Sequence, residues 1–455
     1  MLLCCAGCSR KSLKTIKIND NTYVDVTSFD VKGNGKQDDR VNIQKAINSN
    51  QNLFFPKGIY LLESYSEYGG CLLIRKGIDL YFEKGAILKI SKNFKQGKNP
   101  KPAVIFIEAK LNSVDKVIIE GLTIDGNNEN HNMVTSGIVA YEYPSFNIKN
   151  LILSNVTIRN VDWCGICTYA LNNNFYNIST SKCGSHGIAV NNTRNPFQKH
   201  YFYLDRYFSE NDKAYSIDFG GKSEDFPFEG VVENVHSKNS KLGIKTAGCW
   251  DLELINVIVE NPEFNGFYTN RPAPNNYLKL KNFKVINAKR NGFALSKAYN
   301  IEMDSCSAIN CKMGLAIIDA IVKVNGLYIQ GKKIGESYGI RVKSKKVEMF
   351  NFELSQIGKN ETYAFWVDVE DGYFKNGKIH NNESPYGMII KGKGNIKLEE
   401  VVFGDTNNRS SNKSEFGIYN DLNDGSIHLK DCQFNNILST NKFKSKVKRV
   451  KIIEQ

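Results

Sequence analysis

Asp218, Lys245 and Tyr268 follow one another at intervals of 27 and 23 residues. Each stands two places after the start of a short recurring segment: Ser216-Ile-Asp-Phe-Gly, Gly243-Ile-Lys-Thr-Ala and Gly266-Phe-Tyr-Thr-Asn. If those segments stack in register, the three side chains stand side by side. A carboxylate, an amine and a phenol in that order suit removal of a proton next to an acid group, which needs a neutralising cation, a base and a proton donor. Lys245 and Arg271 suit neutralisation. Tyr268 suits proton transfer, with its pKa lowered by the cations, and Asp218 would orient Lys245. Tyr169, His186, Asn191 and Asn270 flank the set as candidate substrate-binding groups. The same residues also read as a solvated face with one salt bridge. A glycosidase would need two carboxyl groups across the scissile bond, and Asp218 alone does not meet that.

The elements that must position these residues are repeats. A glycine (or Ser216 or Ala364), then an apolar residue, any residue and another small or apolar one recurs at positions 137, 165, 187, 216, 243, 266, 292, 314, 339, 364, 387 and 417. The spacings run from 22 to 30 residues, the length of one coil of a parallel β-helix. A second apolar-alternating strand lies between the starts, as in Asn150-Leu-Ile-Leu-Ser-Asn-Val-Thr-Ile. Alternation sends one set of side chains into the coil and the other out, and each coil buries its inner face only on the next. The first outward column is then Cys167, Ala189, Asp218, Lys245, Tyr268, Ala294. The second is Tyr169, Asn191, Gly220, Ala247, Asn270, Ser296. A slip of one residue would turn the whole set inward. The fold class expected is all-β: a single-stranded, right-handed parallel β-helix. A short helix over Val41, Ile43, Ala46 and Ile47, capped by Asp38 or Asp39, would close its N-terminal end. The Leu-x-x-Leu-x-Leu signature of the rival leucine-rich solenoid is absent. The coil between 187 and 216 carries the longest insertion, Thr193 to Lys213. Its Phe197, Lys199, His200, Tyr201, Tyr203, Arg206 and Tyr207 could wall a groove, with His200 a substrate-binding candidate, or could pack on one another.

Composition bounds the partners. The chain has 455 residues, 41% hydrophobic and 24% charged, with a formal charge of +13. That is a folded chain whose surface attracts polyanions or is simply solubilised by lysine. No nucleic-acid module is recognisable, so nucleic acid is not an expected partner. Three of the eleven cysteines lie in the first eight residues. Met1-Leu2-Leu3-Cys4-Cys5-Ala6-Gly7-Cys8 resembles the end of a bacterial lipoprotein signal, with lipid on Cys8. The expected division is residues 1–21 signal and linker, 22–440 β-helix and 441–455 a basic solvated tail. No apolar stretch of about 18 residues follows, so a monomer at the cell surface, in the periplasm or secreted is expected, membrane-bound only through lipid. Trp163-Cys164-Gly-Ile-Cys167 resembles a redox motif, but its flanks read as strands and turns rather than the helix N-terminus that thiolate chemistry needs. No zinc-like pairing of cysteines occurs. No cofactor is called for; calcium is left open, with Glu224 and Asp225 the nearest carboxylate pair.

The segment Phe29 to Tyr60 adds a family likeness. Phe29-Asp-Val-Lys-Gly-Asn-Gly leads to Asp38-Asp39, a helix, and then Phe55-Pro-Lys-Gly-Ile-Tyr60. This start, with the coils behind it, resembles the pectate lyase superfamily of β-helix proteins, which includes hydrolases, lyases, epimerases and phage tail spikes. Gly243-Ile-Lys-Thr is similar to the Arg-Ile-Lys-Thr of polygalacturonases, whose lysine contacts substrate carboxylate; this carries over to Lys245, while Gly243 stands where that family has arginine. The acids of those enzymes have no counterpart in Cys167-Thr-Tyr or Ala189-Val-Asn. Leu122-Thr-Ile-Asp125-Gly-Asn-Asn resembles mannuronan C5-epimerases, whose Asp-Pro-His-Glu would fall at Cys167-Thr-Tyr-Ala and is missing. The resemblance implies an exported polysaccharide-active enzyme. A lyase on a uronic-acid glycan leads; a glycoside hydrolase, a C5-epimerase and a non-catalytic glycan-binding surface protein are the alternatives.

Overall fold

The alternation in the recurring segments becomes inward and outward alternation in the computed structural model. It describes residues 12–455 apart from 67–69, 96–102, 131–134, 144, 192–197, 221–227, 270–273, 333–336, 359–362, 381, 383, 405–415, 436, 438–442, 446–450 and 455. Successive recurring segments pair in parallel, start against start. Ile138, Ile166, Ile188, Ile217, Ile244, Phe267, Phe293 and Leu315 therefore form one inner column. All eight are buried, each worth about 1.5–3 kcal/mol of apolar burial. The chain is a right-handed parallel β-helix with one short N-terminal helix, the class expected.

Two bends, five residues apart, recur in each central coil. Residues at those bends hold positive φ, which asparagine tolerates better than most side chains. One row includes Asn234, Asn256 and Asn282 (φ 56°, 54° and 51°); the other includes Asn239, Asn261 and Asn287 (55°, 53° and 58°). Their amides join coil to coil: Asn261 donates to Asn239 at 3.0 Å, and Asn287 to Asn261 at 2.8 Å. These ladders fix the register from outside while the apolar columns fix it from within.

Helix α1 (Arg40–Ser49) closes the first coil. Ile43, Ala46 and Ile47 are buried as expected, whereas Val41 is exposed. The Asp39 carboxylate does not cap the helix; it accepts the backbone N–H groups of Lys32 and Gly33 at 2.7 and 2.9 Å. Asp38 takes the Arg40 N–H at 3.0 Å instead. The Gln44 amide donates to the Leu73 carbonyl at 2.9 Å and accepts its N–H at 2.8 Å. It thereby seals the open edge of strand Gly70–Ile74, which would otherwise invite another chain. Among the described residues no helix is long and apolar enough to cross a membrane. Within 441–455, Phe443–Ser445 and Lys451–Glu454 pair in parallel with Phe416–Lys430.

The insertion in the 187–216 coil is corrected by the structure. His200–Glu210 is a strand of the solenoid, paired with Asn172–Ser181 on one side and Phe228–Lys238 on the other. Phe202, Leu204 and Tyr207 point inward. His200 does not reach a groove: it is buried at 1% exposure with Nδ1 3.1 Å from the Ala170 carbonyl. Residues 192–197, Phe197 among them, lie outside the described residues.

Two predictions follow from these interactions. Asn261→Gly should lose only the ladder hydrogen bonds, whereas Asn261→Ala should cost about 1–2 kcal/mol more because its Cβ opposes positive φ; urea unfolding of the two variants checks this. Burial pushes the His200 imidazole from 6.5 down to about 4. The unfolded chain then binds the extra proton first, so stability is full above pH 6.5 and falls as pH drops towards 4, by up to about 3 kcal/mol. His200→Asn, which keeps a donor near the Ala170 carbonyl, should flatten that slope in unfolding measured across the same range.

Candidate active site

Six strands carry the outward face in question: β1 (Ile166–Thr168), β2 (Ile188–Asn191), β3 (Tyr215–Gly220), β4 (Leu242–Ala247), β5 (Phe267–Thr269) and β6 (Asn291–Ser296). Their register aligns Cys167, Ala189, Asp218, Lys245, Tyr268 and Ala294 as one column, as expected. Stacked strands lie about 4.8 Å apart, so these neighbours touch.

Asp218 is the hub. Its Oδ1 accepts from Lys245 Nζ at 2.8 Å, and both side chains are only 14% exposed. Its Oδ2 lies 3.8 Å from His186 Nε2. Tyr215 completes the group. The His186 ring stacks on it at 5.2 Å and 29°, and Lys245 Nζ lies 5.3 Å from the centre of its ring. The Tyr215 backbone N–H points at His186 Nδ1, 3.4 Å away. With Nδ1 accepting, the proton of the neutral imidazole belongs on Nε2, towards Asp218. Burial lowers the His186 pKa and Lys245 lowers it further, against the opposing pull of Asp218. Burial raises the Tyr215 phenol, with Asp218 adding to it. At neutral pH the centre is therefore an Asp–Lys ion pair beside a neutral imidazole and a protonated phenol.

Tyr215 was missed by sequence reading, although the signal was there. It occupies the place before its coil start that His186 occupies before Gly187, and the backbone bond from Gly187 N–H to the Tyr215 carbonyl stacks the two.

The buried side of β3 explains how the chain tolerates Ser216 in a row of glycines. A Cβ on Gly243 would lie 2.1 Å from the Gly266 carbonyl oxygen, and one on Gly187 2.0 Å from Tyr207 Oη. Around Ser216 the packing residues are themselves serines. Ser209 and Ser240 meet its hydroxyl at 2.9 Å, and Ser237 is a third partner. Ser209 also donates to buried Asp212, which accepts from Thr180 and from the Cys183 backbone N–H. This network anchors the strand that bears Asp218.

The other candidates divide. Asn191 stands in the second column, with its amide 3.6 Å from Cys167 Sγ; the missing Cβ of Gly220 leaves it room, since that atom would lie 2.9 Å from Asn191 Oδ1. Tyr169 lies one coil before Asn191 and packs at 5.2 Å against Tyr141. His200 is buried on another strand and does not join the site. Asn270, Arg271, Glu224, Asp225 and Cys8 lie outside the described residues. Cys164 and Cys167 form no disulfide and stand on strand-and-turn backbone, and burial pushes the Cys164 thiol up, the reverse of an activated thiolate. Among the described residues no group of three or more His, Cys, Asp or Glu side chains could hold a metal ion.

No protein-family profile and no curated protein matches the chain. Solved structures do. The N-terminal fragment of bacteriophage phi29 gene product 12 superposes with a TM-score of 0.56 at 14% identity, over 93% of this chain and 72% of that one. The A-module of Azotobacter vinelandii mannuronan C-5 epimerase AlgE6 gives 0.41 at 14% identity, over 95% and 99%. The catalytic domain of a GH87 alpha-1,3-glucanase in complex with nigerose gives 0.47 at 10% identity, over 94% and 68%. At such identities the likeness to the phage protein speaks for the fold alone: this chain is built as a right-handed parallel β-helix.

Proposed function

We propose that the Asp218–Lys245–Tyr268 column is the reaction centre of an exported enzyme that cleaves a uronate-bearing polysaccharide by β-elimination. The observation that carries this reading is the held ammonium. Lys245 is fixed on the outer face by Asp218 at 2.8 Å and by the Tyr215 ring, and is largely removed from water. Only one of its three N–H donors is used on Asp218, leaving two for a substrate carboxylate. In such surroundings a cation acts more strongly than in bulk water.

The steps are as follows. The uronate carboxylate docks on Lys245, which stabilises negative charge as the neighbouring C5–H bond breaks. The C5 electron pair becomes the C4–C5 double bond, the C4–O bond breaks, and the leaving oxygen takes a proton. Tyr268, next to Lys245 in register, is the group that moves the proton. His186 Nδ1 already accepts the Tyr215 N–H and its Nε2 carries the ring proton 3.8 Å from Asp218, so neither nitrogen is placed to serve as base. Hydrolysis would need a second acid, and among the described residues Asp218 is the only carboxylate of its outward column. The basic balance of the chain, +13, suits an acidic polymer. Tethering through lipid on Cys8 belongs to the same proposal and rests on the lipoprotein-like first residues.

The test is incubation with a panel of acidic and neutral polysaccharides, reading ultraviolet absorbance of the unsaturated product together with reducing ends. Both should rise on an acidic polymer. Tyr268→Phe and Lys245→Met should each lower kcat by about 100-fold or more with unchanged circular dichroism. Reducing ends without absorbance would replace elimination by hydrolysis; full turnover in both variants would remove the column from the chemistry.

A further inference from the structure

At the capped end of the same outer face, α1 and strand Gly70–Ile74 enclose a cavity of about 640 Å³. Arg40, Arg75 and Lys76 line it, with Tyr65 and Leu73 as apolar wall, and no acidic side chain stands among the described lining residues. Two of the cations are held. Arg75 meets Glu108 at 2.7 Å through Nη2 and 2.8 Å through Nε, and Lys76 donates to the Asn48 carbonyl at 2.9 Å. Arg40 is different. Its Nε is buried and has no acceptor. An unmet buried donor costs about 1–3 kcal/mol, and more when charged, so a rotation that brings Arg40 to an acceptor in the cavity would be favoured.

The cavity opens onto the column that leads to the reaction centre. Arg75 follows Ile74, which pairs with Ile107, and the row continues through Glu108, Tyr141, Tyr169, Asn191 and Gly220. Tyr141 is its middle: it packs on Phe106 at 6.4 Å, Tyr143 at 5.3 Å and Tyr169 at 5.2 Å. Five coil steps of about 4.8 Å place Arg75 roughly 24 Å from the Gly220 coil that bears Asp218. Aromatic rings between two cationic stations suit a chain of sugar rings with acid groups, the rings stacking and the acids pairing.

We propose that the Arg40–Arg75–Lys76 cavity is a second, non-catalytic binding site for a uronate unit of the polymer that reaches Lys245. This rests on the acidic-glycan reading. Arg40 would turn its guanidinium, whose Nε has no acceptor among the described residues, to the sugar carboxylate, and Lys76 would add charge.

Calorimetric titration with tetragalacturonate and with tetramannuronate tests it, using Lys245→Met protein so that nothing is turned over. That variant should still bind one of them. Adding Arg40→Gln should weaken binding about 10-fold or more, the loss of one charge-assisted hydrogen bond; Lys76→Ala is the second variant should Arg40→Gln fail to fold. Arg40→Gln alone should leave turnover of short oligosaccharides unchanged. Equal affinity with and without Arg40, or no binding of either acid by Lys245→Met protein, overturns the proposal. The reaction assignment fails separately, if Lys245→Met protein retains full turnover.

Discussion

Coil-to-coil register is the constraint on which everything else rests. A parallel β-helix has no sequence-local site: Asp218 and Lys245 are 27 residues apart in the chain and meet only because β3 and β4 align without slip. Displacement by one residue would put Ile217 and Phe219 outside and the Asp218 carboxylate between Ile188 and Ile244, at a cost far beyond a surface ion pair. Two independent devices oppose that slip, the apolar columns inside and the asparagine rows at the bends. Their agreement sets the 2.8 Å contact between Asp218 and Lys245.

The site also depends on polar packing behind it. Ser216 breaks the row of coil-starting glycines, and its hydroxyl is satisfied only because Ser209, Ser237 and Ser240 stand where neighbouring coils place bulkier residues such as Val259 and Val285. Asp212 extends that network to Thr180 and the backbone of Cys183. A fully satisfied buried network is rigid, because each lost partner leaves a costly orphan. β3 is thus pinned from within at the strand that bears the site's carboxylate.

How much was legible follows from which rule each segment obeys. The glycine-led starts recur at coil length and alternate with period two, so the outward column from Cys167 to Ala294 could be read from the chain and stands in the structure. The His200–Glu210 strand could not. Its inward residues include His200 and Tyr207, which polarity assigns to the surface, while Tyr201 and Phe208 point outward, so aromatic residues fall on both sides and mask the alternation. Tyr215 was hidden for another reason: it precedes its coil start, and columns counted from the start onward never reach back to it. The Asp38–Asp39 pair shows the same limit on a small scale. Either carboxylate fits a helix cap by type, and only the folded loop at Lys32–Gly33 decides which is taken for other work.

The proposed reaction centre sits in the middle coils, with several turns of solenoid on either side. In a quasi-one-dimensional structure each repeat leans only on its neighbours, so unravelling begins at the tips and eats inward. A centre placed there is insulated from fraying: terminal turns can open and close without loosening the rungs that hold Asp218 and Lys245. The cavity beneath α1 has no such shelter, since it belongs to the cap itself. One face of the molecule therefore spans a gradient of mechanical security, with its firmest point at the proposed reaction centre and its most yielding point at the end, where the proposed second site lies.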